Sequence, residues 1–149
     1  RGFVVMLRPT PELWTLSLPH RTQILYNTDI AMILLRLSVR PGDIVVESGT
    51  GSGSMTHSMA RTVGPKGHVY SFDFHEPRVQ QAQKEFESHG MSKHVTCKQA
   101  DACVDGFDIP EGVFADALFL DVPMPWAAIP HAMKVLRDGG GICTFSACI

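Results

Sequence analysis

The sequence predicts an α/β protein: a Rossmann-like, doubly wound sheet preceded by a small N-terminal β segment. Three observations carry this. From residue 28 onward, short apolar runs alternate with amphipathic helical stretches, the pattern of a parallel sheet covered by helices. Ile44, Val45 and Val46 run almost directly into glycines at alternate positions, Gly49, Gly51 and Gly53, and then into a helical stretch. The expected strands also end in acidic or polar residues: Glu47, Asp73, Gln99 with Asp101, and Asp121. Ligands of open α/β sheets bind outside these carboxyl ends, at the topological switch point.

In chain order, residues 3–7 are an apolar run that reads as a strand, broken by the RPTP of residues 8–11. Residues 12–18 alternate loosely (Leu13, Trp14, Leu16, Leu18) up to Pro19, so the pair reads as a β-hairpin within an N-terminal β/loop segment, residues 1–27. Thr28 is placed to cap a helix whose Ile30, Ile33, Leu34 and Leu37 recur at helical spacing. Arg40, Pro41 and Gly42 then turn the chain into a strand at 43–47. A helix at 55–63, a Gly-Pro-Lys-Gly turn at 64–67 and a strand at 68–74 follow. The polar helix 76–89 ends at Gly90, and strand 94–99 leads into an acidic loop, 101–112. Strand 114–122, helix 126–136, a tight turn at the three glycines 139–141 and a strand at 142–147 complete five core strands.

The glycine turn is the centre of the chemistry. Glycines let a ligand approach the backbone where a side chain would block it, and free amides at a helix start favour polar or anionic groups. No Gly-Lys-Ser/Thr follows, so no lysine is placed for a triphosphate and no hydroxyl for its magnesium. The turn suits a nucleoside ligand, S-adenosylmethionine ahead of NAD. Asp73, 20 residues after Gly53, stands where a ribose-binding carboxylate is expected and can accept from both hydroxyls. Asp101 or the amide of Ala102 is placed to read adenine, and Gly49, Gly51 and Gly53 to admit the methionine portion. Arg78, one helical turn into the helix that follows Asp73, either orients a carboxylate or is a solvated helix charge. At the fourth strand end, Asp121 precedes VPMPW, a proline-stiffened loop whose Trp126 either stacks on a base or anchors the next helix.

Composition bounds the reading. At 149 residues, 44% hydrophobic and 19% charged, the chain is one domain's worth of ordinary globular protein, with no apolar run approaching a membrane span. Net charge of −2 is not the footprint of a stand-alone nucleic-acid binder, so an RNA substrate needs charge from a partner or from other segments. Cys97, Cys103, Cys143 and Cys148 show no C-x-x-C or zinc spacing and read as reduced cysteines of an intracellular protein. His20 and His75 fall near the expected site, in packing or hydrogen-bonding roles.

Four stretches together resemble the family of tRNA (adenine-58-N1)-methyltransferase catalytic subunits in its animal nuclear/cytosolic form. They are GFVVMLRPTPELW (residues 2–14), LPHRTQILY (18–26), ESGTGSGS (47–54) and FLDVPMPW (119–126). The resemblance covers essentially the whole chain. It implies a class I methyltransferase domain at 28–149, expected to continue beyond the chain into a terminal antiparallel pair of strands. It implies S-adenosylmethionine held around Ser52, Gly53 and Ser54, with contacts near Leu25, Asp73, Arg78, Asp101 and Ala102, and Asp121 as the catalytic aspartate; Glu47, as a strand-end acid, is expected on the cofactor side as well. Position 73 is often Glu in that family, and Asp keeps the carboxylate. The resemblance further implies a tRNA substrate, a non-catalytic RNA-binding subunit in a heterotetramer, nuclear localisation, and no metal, DNA or membrane partner. Adenine N1 lies on the Watson–Crick edge, so the base must be turned out before N1 attacks the sulfonium methyl in line. Asp121, bonded to the exocyclic amine, would then orient N1 and stabilise positive charge on the ring. Two rivals remain at this stage: a methyltransferase of the same fold with another substrate, and a non-catalytic subunit that should have lost the glycine loop or Asp121.

Overall fold

The computed structural model describes residues 2–146. Its centre is a five-stranded parallel sheet: β1 (Ile44–Ser48), β2 (His68–Asp73), β3 (Val95–Gln99), β4 (Ala115–Leu120) and β5 (Leu136–Thr144), in spatial order β3-β2-β1-β4-β5. The chain winds outward from β1 through β2 to β3, then returns to the other side of β1 for β4 and β5. The switch point therefore lies between β1 and β4, whose register pairs Ser48 with Leu120.

Side-chain alternation along the strands builds two cores, one per face. Val45, Val69, Ala117 and Phe119 join Ile30, Ile33, Met59, Val79 and Phe86 from α2 (Asn27–Arg36), α3 (Ser54–Val63) and α4 (Glu76–Ser88). Val46, Phe72, Leu118 and Leu120 face the other way, against the loop residues Ala102 and Phe107 and against Ala128 and Ala132 of α5 (Pro125–Val135). Adjacent Val45 and Val46 thus serve opposite layers, and each contributes about 1.5–3 kcal/mol by leaving water.

The N-terminal expectation is corrected. Residues 3–7 form no strand and stand exposed, and residues 12–18 are not half of a hairpin. Instead α1 (Pro11–Ser17) is a helix, with Thr10 as N-cap accepting from the Leu13 amide at 3.3 Å, Pro11 at its first position and Glu12 in its first turn. It packs on α3, with the Thr15 hydroxyl 2.7 Å from that of Ser54 and an Arg61–Glu12 ion pair at the rim. α2 begins two residues earlier than expected, capped by Tyr26 rather than Thr28 and without a side-chain bond.

At the other end, Gly139 to Gly141 do not form a turn ahead of the last strand. They lie within β5, where the register with β4 jumps from Ala115–Leu136 to Ala117–Gly141, so the extra residues bulge and Gly139 takes φ +77°. Of the strand expected through 147, Ala147 lies outside the described residues, as does Cys148. The remaining strands and helices match their expected positions to within two residues.

Candidate active site

The glycine turn is held open and stiff by positive φ angles at Gly49 (+99°), Gly51 (+53°) and Gly53 (+76°). At Gly49 a Cβ would fall onto the backbone carbonyl of Asp121, so β1 and β4 approach each other there as only glycine permits. A Cβ on Gly51 would meet the Thr22 hydroxyl. The segment before α2 is stitched onto this turn, with the Arg21 and Thr22 amides donating to Ser52 Oγ at 3.2 and 3.3 Å. Arg21 anchors it from the other side through a two-pronged ion pair with Glu85 at 2.6 and 2.9 Å.

Around the turn lies a cleft with two arms. One, about 250 Å³, is walled by residues 22–25, the turn residues Gly49 to Ser52, Ser54, Met55 and Phe119. The other, about 230 Å³, runs between Phe74, Ala100 to Cys103 and Val122 to Met124. Gly49, Asp73, Arg78 and Asp121 line both and so mark the junction. Together the arms fall in the ~300–1,000 Å³ range of small-molecule sites.

Asp73, 2% exposed, is fastened at this junction: Oδ2 accepts from the Gly51 amide at 3.0 Å and Oδ1 from the His75 amide at 2.9 Å. Arg78 approaches both oxygens at 3.4 Å and stacks over the Phe74 ring at 5.2 Å, so the carboxylate it orients is the protein's own Asp73. A carboxylate has about four lone-pair sites, which leaves acceptor capacity toward the cleft. Asp101 uses Oδ1 to accept from the Cys103 amide at 2.8 Å, closing the turn that places Ala102. Among the described residues the amides of Ala102, Ser54 and Met55 meet no acceptor, and all three residues line the cleft.

Asp121 is pinned at its backbone, where its amide donates to the Ser48 carbonyl at 2.8 Å. Its carboxylate opens into the cleft, and no described side chain hydrogen-bonds it. Partial loss of water at that position raises its pKa above the usual carboxylate range.

Two expected ligand residues are placed elsewhere. Glu47 is 0% exposed beneath the turn, its Oε2 accepting from the hydroxyls of Thr56 and Ser71, both at 2.6 Å, while Oε1 meets no partner. Burial pushes its pKa up to about 7. Gly53 caps α3 from below and does not line the cleft. Leu25, Gly49, Gly51, Ser52, Ser54, Asp73, Arg78, Asp101, Ala102 and Asp121 all reach it. Trp126 is 69% exposed on the first turn of α5, which removes the core-anchor alternative for that side chain. Sequence reading missed Thr22 and Gln23, from the loop before α2, and Phe145, just past β5, all of which line the first arm. Only the polar LPHRTQ stretch before α2 hinted at the first two.

A glycine turn against a buried acid and a free aspartate at the switch point is the layout that comparison with known proteins resolves. The sequence profile described as "tRNA methyltransferase complex GCD14 subunit" matches residues 2–149. The chain belongs to that family. It is 57% identical, over 99% of its length, to a protein of Cryptococcus neoformans named tRNA (adenine(58)-N(1))-methyltransferase catalytic subunit TRM61, of which the match covers 34%. The protein of that name from Candida albicans is 53% identical, with 99% of this chain and 45% of the relative covered. The Dictyostelium discoideum catalytic subunit is 49% identical, with 99% and 48% covered. The chain thus spans about a third to a half of the length of these relatives. Among solved structures, a SAM-dependent O-methyltransferase of Thermotoga maritima superposes with a TM-score of 0.80 at 33% identity, covering 94% of this chain and 51% of that one. The tRNA (m1A58) methyltransferase TrmI of Aquifex aeolicus gives 0.78 at 30% identity, covering 92% and 53%. The Rossmann-like methyltransferase fold is therefore shared by chains solved with that architecture.

Proposed function

We propose that this chain carries the cofactor-binding and catalytic core of a tRNA (adenine-58-N1)-methyltransferase. The observation that carries the reading is the convergence of both arms of the cleft on Asp121, an aspartate whose carboxylate no group among the described residues hydrogen-bonds. The names of the relatives supply the substrate, and the family's description as a subunit of a complex supplies the partner. On this reading the partner is a non-catalytic RNA-binding subunit, two copies of each chain forming a heterotetramer. A net charge of −2 fits a catalytic chain that leaves much of the phosphate contact to that partner. An intact glycine turn and Asp121 also weigh against a degenerate, non-catalytic role for this chain.

The cleft fits S-adenosylmethionine by the chemistry of its donors and acceptors. The unpaired amides of Ser54 and Met55 at the start of α3 suit the methionine carboxylate. The remaining lone pairs of Asp73 suit the ribose hydroxyls, and the Ala102 amide in the second arm suits an adenine ring nitrogen. On this reading the Ser54 and Met55 amides would hold the methionine part in the first arm and the Ala102 amide the adenine in the second, leaving Gly49 and Asp121 at the junction to face the reacting methyl. When bound, the cofactor supplies a methyl group made electrophilic by its sulfonium.

Asp121 accepts a hydrogen bond from the exocyclic amine of the target adenine, which turns N1 toward the junction. As N1 shares its lone pair with the methyl carbon, the carbon–sulfur bond would break with its electron pair left on sulfur; positive charge then spreads over the ring, and the fixed negative charge of Asp121 lowers the energy of that state. N1 carries no proton to remove, so Asp121 acts by charge and position. Met124, which lines the second arm with Asp121, offers an apolar contact to a base turned out of the RNA stack, and Trp126, exposed on the first turn of α5 but lining neither arm, is available to stack on RNA outside the cleft. Calorimetric titration of S-adenosylmethionine into the full-length protein tests the cofactor site. Saturable binding that weakens at least about tenfold in Asp73→Ala is expected, since a charged acceptor pair is lost; undiminished binding in that variant would contradict the placement.

A further inference from the structure

Beneath the glycine turn lies a histidine pair that the reaction itself does not use. His57 is 7% exposed, one turn into α3. Its Nδ1 lies 2.6 Å from the Gly53 carbonyl oxygen, and its Nε2 lies 2.8 Å from Nδ1 of His89, just past the end of α4. A carbonyl only accepts, so Nδ1 of His57 carries a proton and donates it. Burial of His57 disfavours a second proton. In the neutral ring Nε2 is then an acceptor, and His89 must donate to it from its own Nδ1. The arrangement is braced by aromatic rings: Trp14 stands 5.4 Å from His57 and 4.7 Å from His89, and Phe86 5.4 Å from His57.

What this pair holds is the last residue of the turn. Gly53 has φ 76° and ψ 10°, a left-handed N-cap with no side chain of its own to bond. Four contacts fix it: its amide donates to the Thr50 carbonyl at 2.8 Å, its carbonyl accepts from the backbone amide of His57 at 3.1 Å and, on its second lone pair, from the His57 ring, and Phe86 closes off its Cβ position at 3.1 Å. The carbonyl of Gly53 and the amide of Ser54 belong to one planar trans peptide and point in opposite directions. Holding the carbonyl down onto His57 therefore holds the Ser54 amide up, out of the helix start and toward the first arm of the cleft.

We propose that His57 is a positioning residue for cofactor binding: its Nδ1–H locks the Gly53 peptide so that the amides after it face the cleft, and His89 selects the tautomer that makes this possible. The inference rests on the reading of that arm as the site of the methionine carboxylate. It assigns His57 no contact with ligand or RNA.

The test compares His57→Leu, His57→Asn and His57→Gln in the full-length protein, by S-adenosylmethionine titration and by methyl-transfer kinetics. An Asn amide reaches where Nδ1 stood and can still donate to Gly53; a Gln amide reaches instead toward His89. Leu and Gln should each raise the dissociation constant about tenfold or more, Asn should stay within about threefold of wild type, and kcat at saturating cofactor should stay nearly unchanged, as expected for loss of uniform binding. Nitrogen-15 NMR of the histidine rings should show His57 as the neutral Nδ1–H tautomer. Wild-type affinity in the Leu variant, an Asn variant as weak as Leu, or an Nε2–H tautomer would each overturn the proposal. Should the Leu variant fail to fold, the contrast of Asn with Gln and the tautomer decide. Failure of the wild-type protein to bind S-adenosylmethionine would instead sink the cofactor reading, whereas tight wild-type binding that all three variants keep would sink this inference alone.

Discussion

Glu47 and Asp121 both end central strands, yet their surroundings give them opposite parts. Glu47 sits at zero exposure under the turn with two hydroxyl donors and one unpartnered oxygen, so ionising it leaves a poorly compensated buried charge. Its pKa of about 7 in the folded chain lies above its ordinary 4.5, so between those values the folded state holds a proton that the unfolded state has lost. Stability therefore falls as pH rises from about 4.5 to about 7 and then levels off, a contribution on the order of 3 kcal/mol. Glu47→Gln removes the titration, so its denaturant midpoint should change less over that window than that of wild type; an unchanged pH slope would refute the assignment. Asp121 shows the complementary case, a carboxylate left open to the cleft. Strand-end acids were legible in the sequence as a set, but which would face a ligand and which would be sealed below the turn was not. That depends on β1 being the central strand, with Asp121 raised beside Gly49 and Glu47 covered by α3 and β2, and on which way each side chain leaves the strand.

At the scale of elements, the parallel strands and their helices were readable because apolar runs and amphipathic periodicity agreed with the glycine and proline punctuation. α1 was misread for an identifiable reason. The loose alternation of the apolar positions Leu13, Trp14, Leu16 and Leu18 outweighed a helix-start signal that was present in Thr10, Pro11 and Glu12: an N-cap, a proline at the first position and an acid in the first turn. The three glycines at 139–141 likewise read as a free turn in the sequence, whereas they lie inside β5 and relieve a register jump there. Because α1 packs on α3, its cap bears on the site as well as on the fold. Thr10→Ala should lower unfolding free energy by about 1 kcal/mol, read by chemical denaturation. No change would mean that packing against α3 alone holds the helix.

For the whole molecule, the winding of strands about β1 explains why residues far apart in sequence meet at one junction. Gly49 follows β1, Asp73 ends β2, Arg78 opens α4 and Asp121 follows β4, and only the order β3-β2-β1-β4-β5 brings these ends together. The side of the cleft proposed for the cofactor was therefore legible from strand ends. The wall formed by residues 22–25 rested on the family resemblance at Leu25, since a loop carries no periodicity that announces where it folds back. The most direct measurement of the central claim is methyl transfer from S-adenosylmethionine to unmodified tRNA by the full-length protein with the proposed partner subunit, with the modified position mapped and Asp121→Ala run alongside. The account predicts N1-methylation of adenine 58 by wild type. In the variant it predicts turnover reduced at least about a hundredfold, with cofactor affinity within about a kcal/mol of wild type. Methylation at another atom, or undiminished turnover without the Asp121 carboxylate, would contradict it.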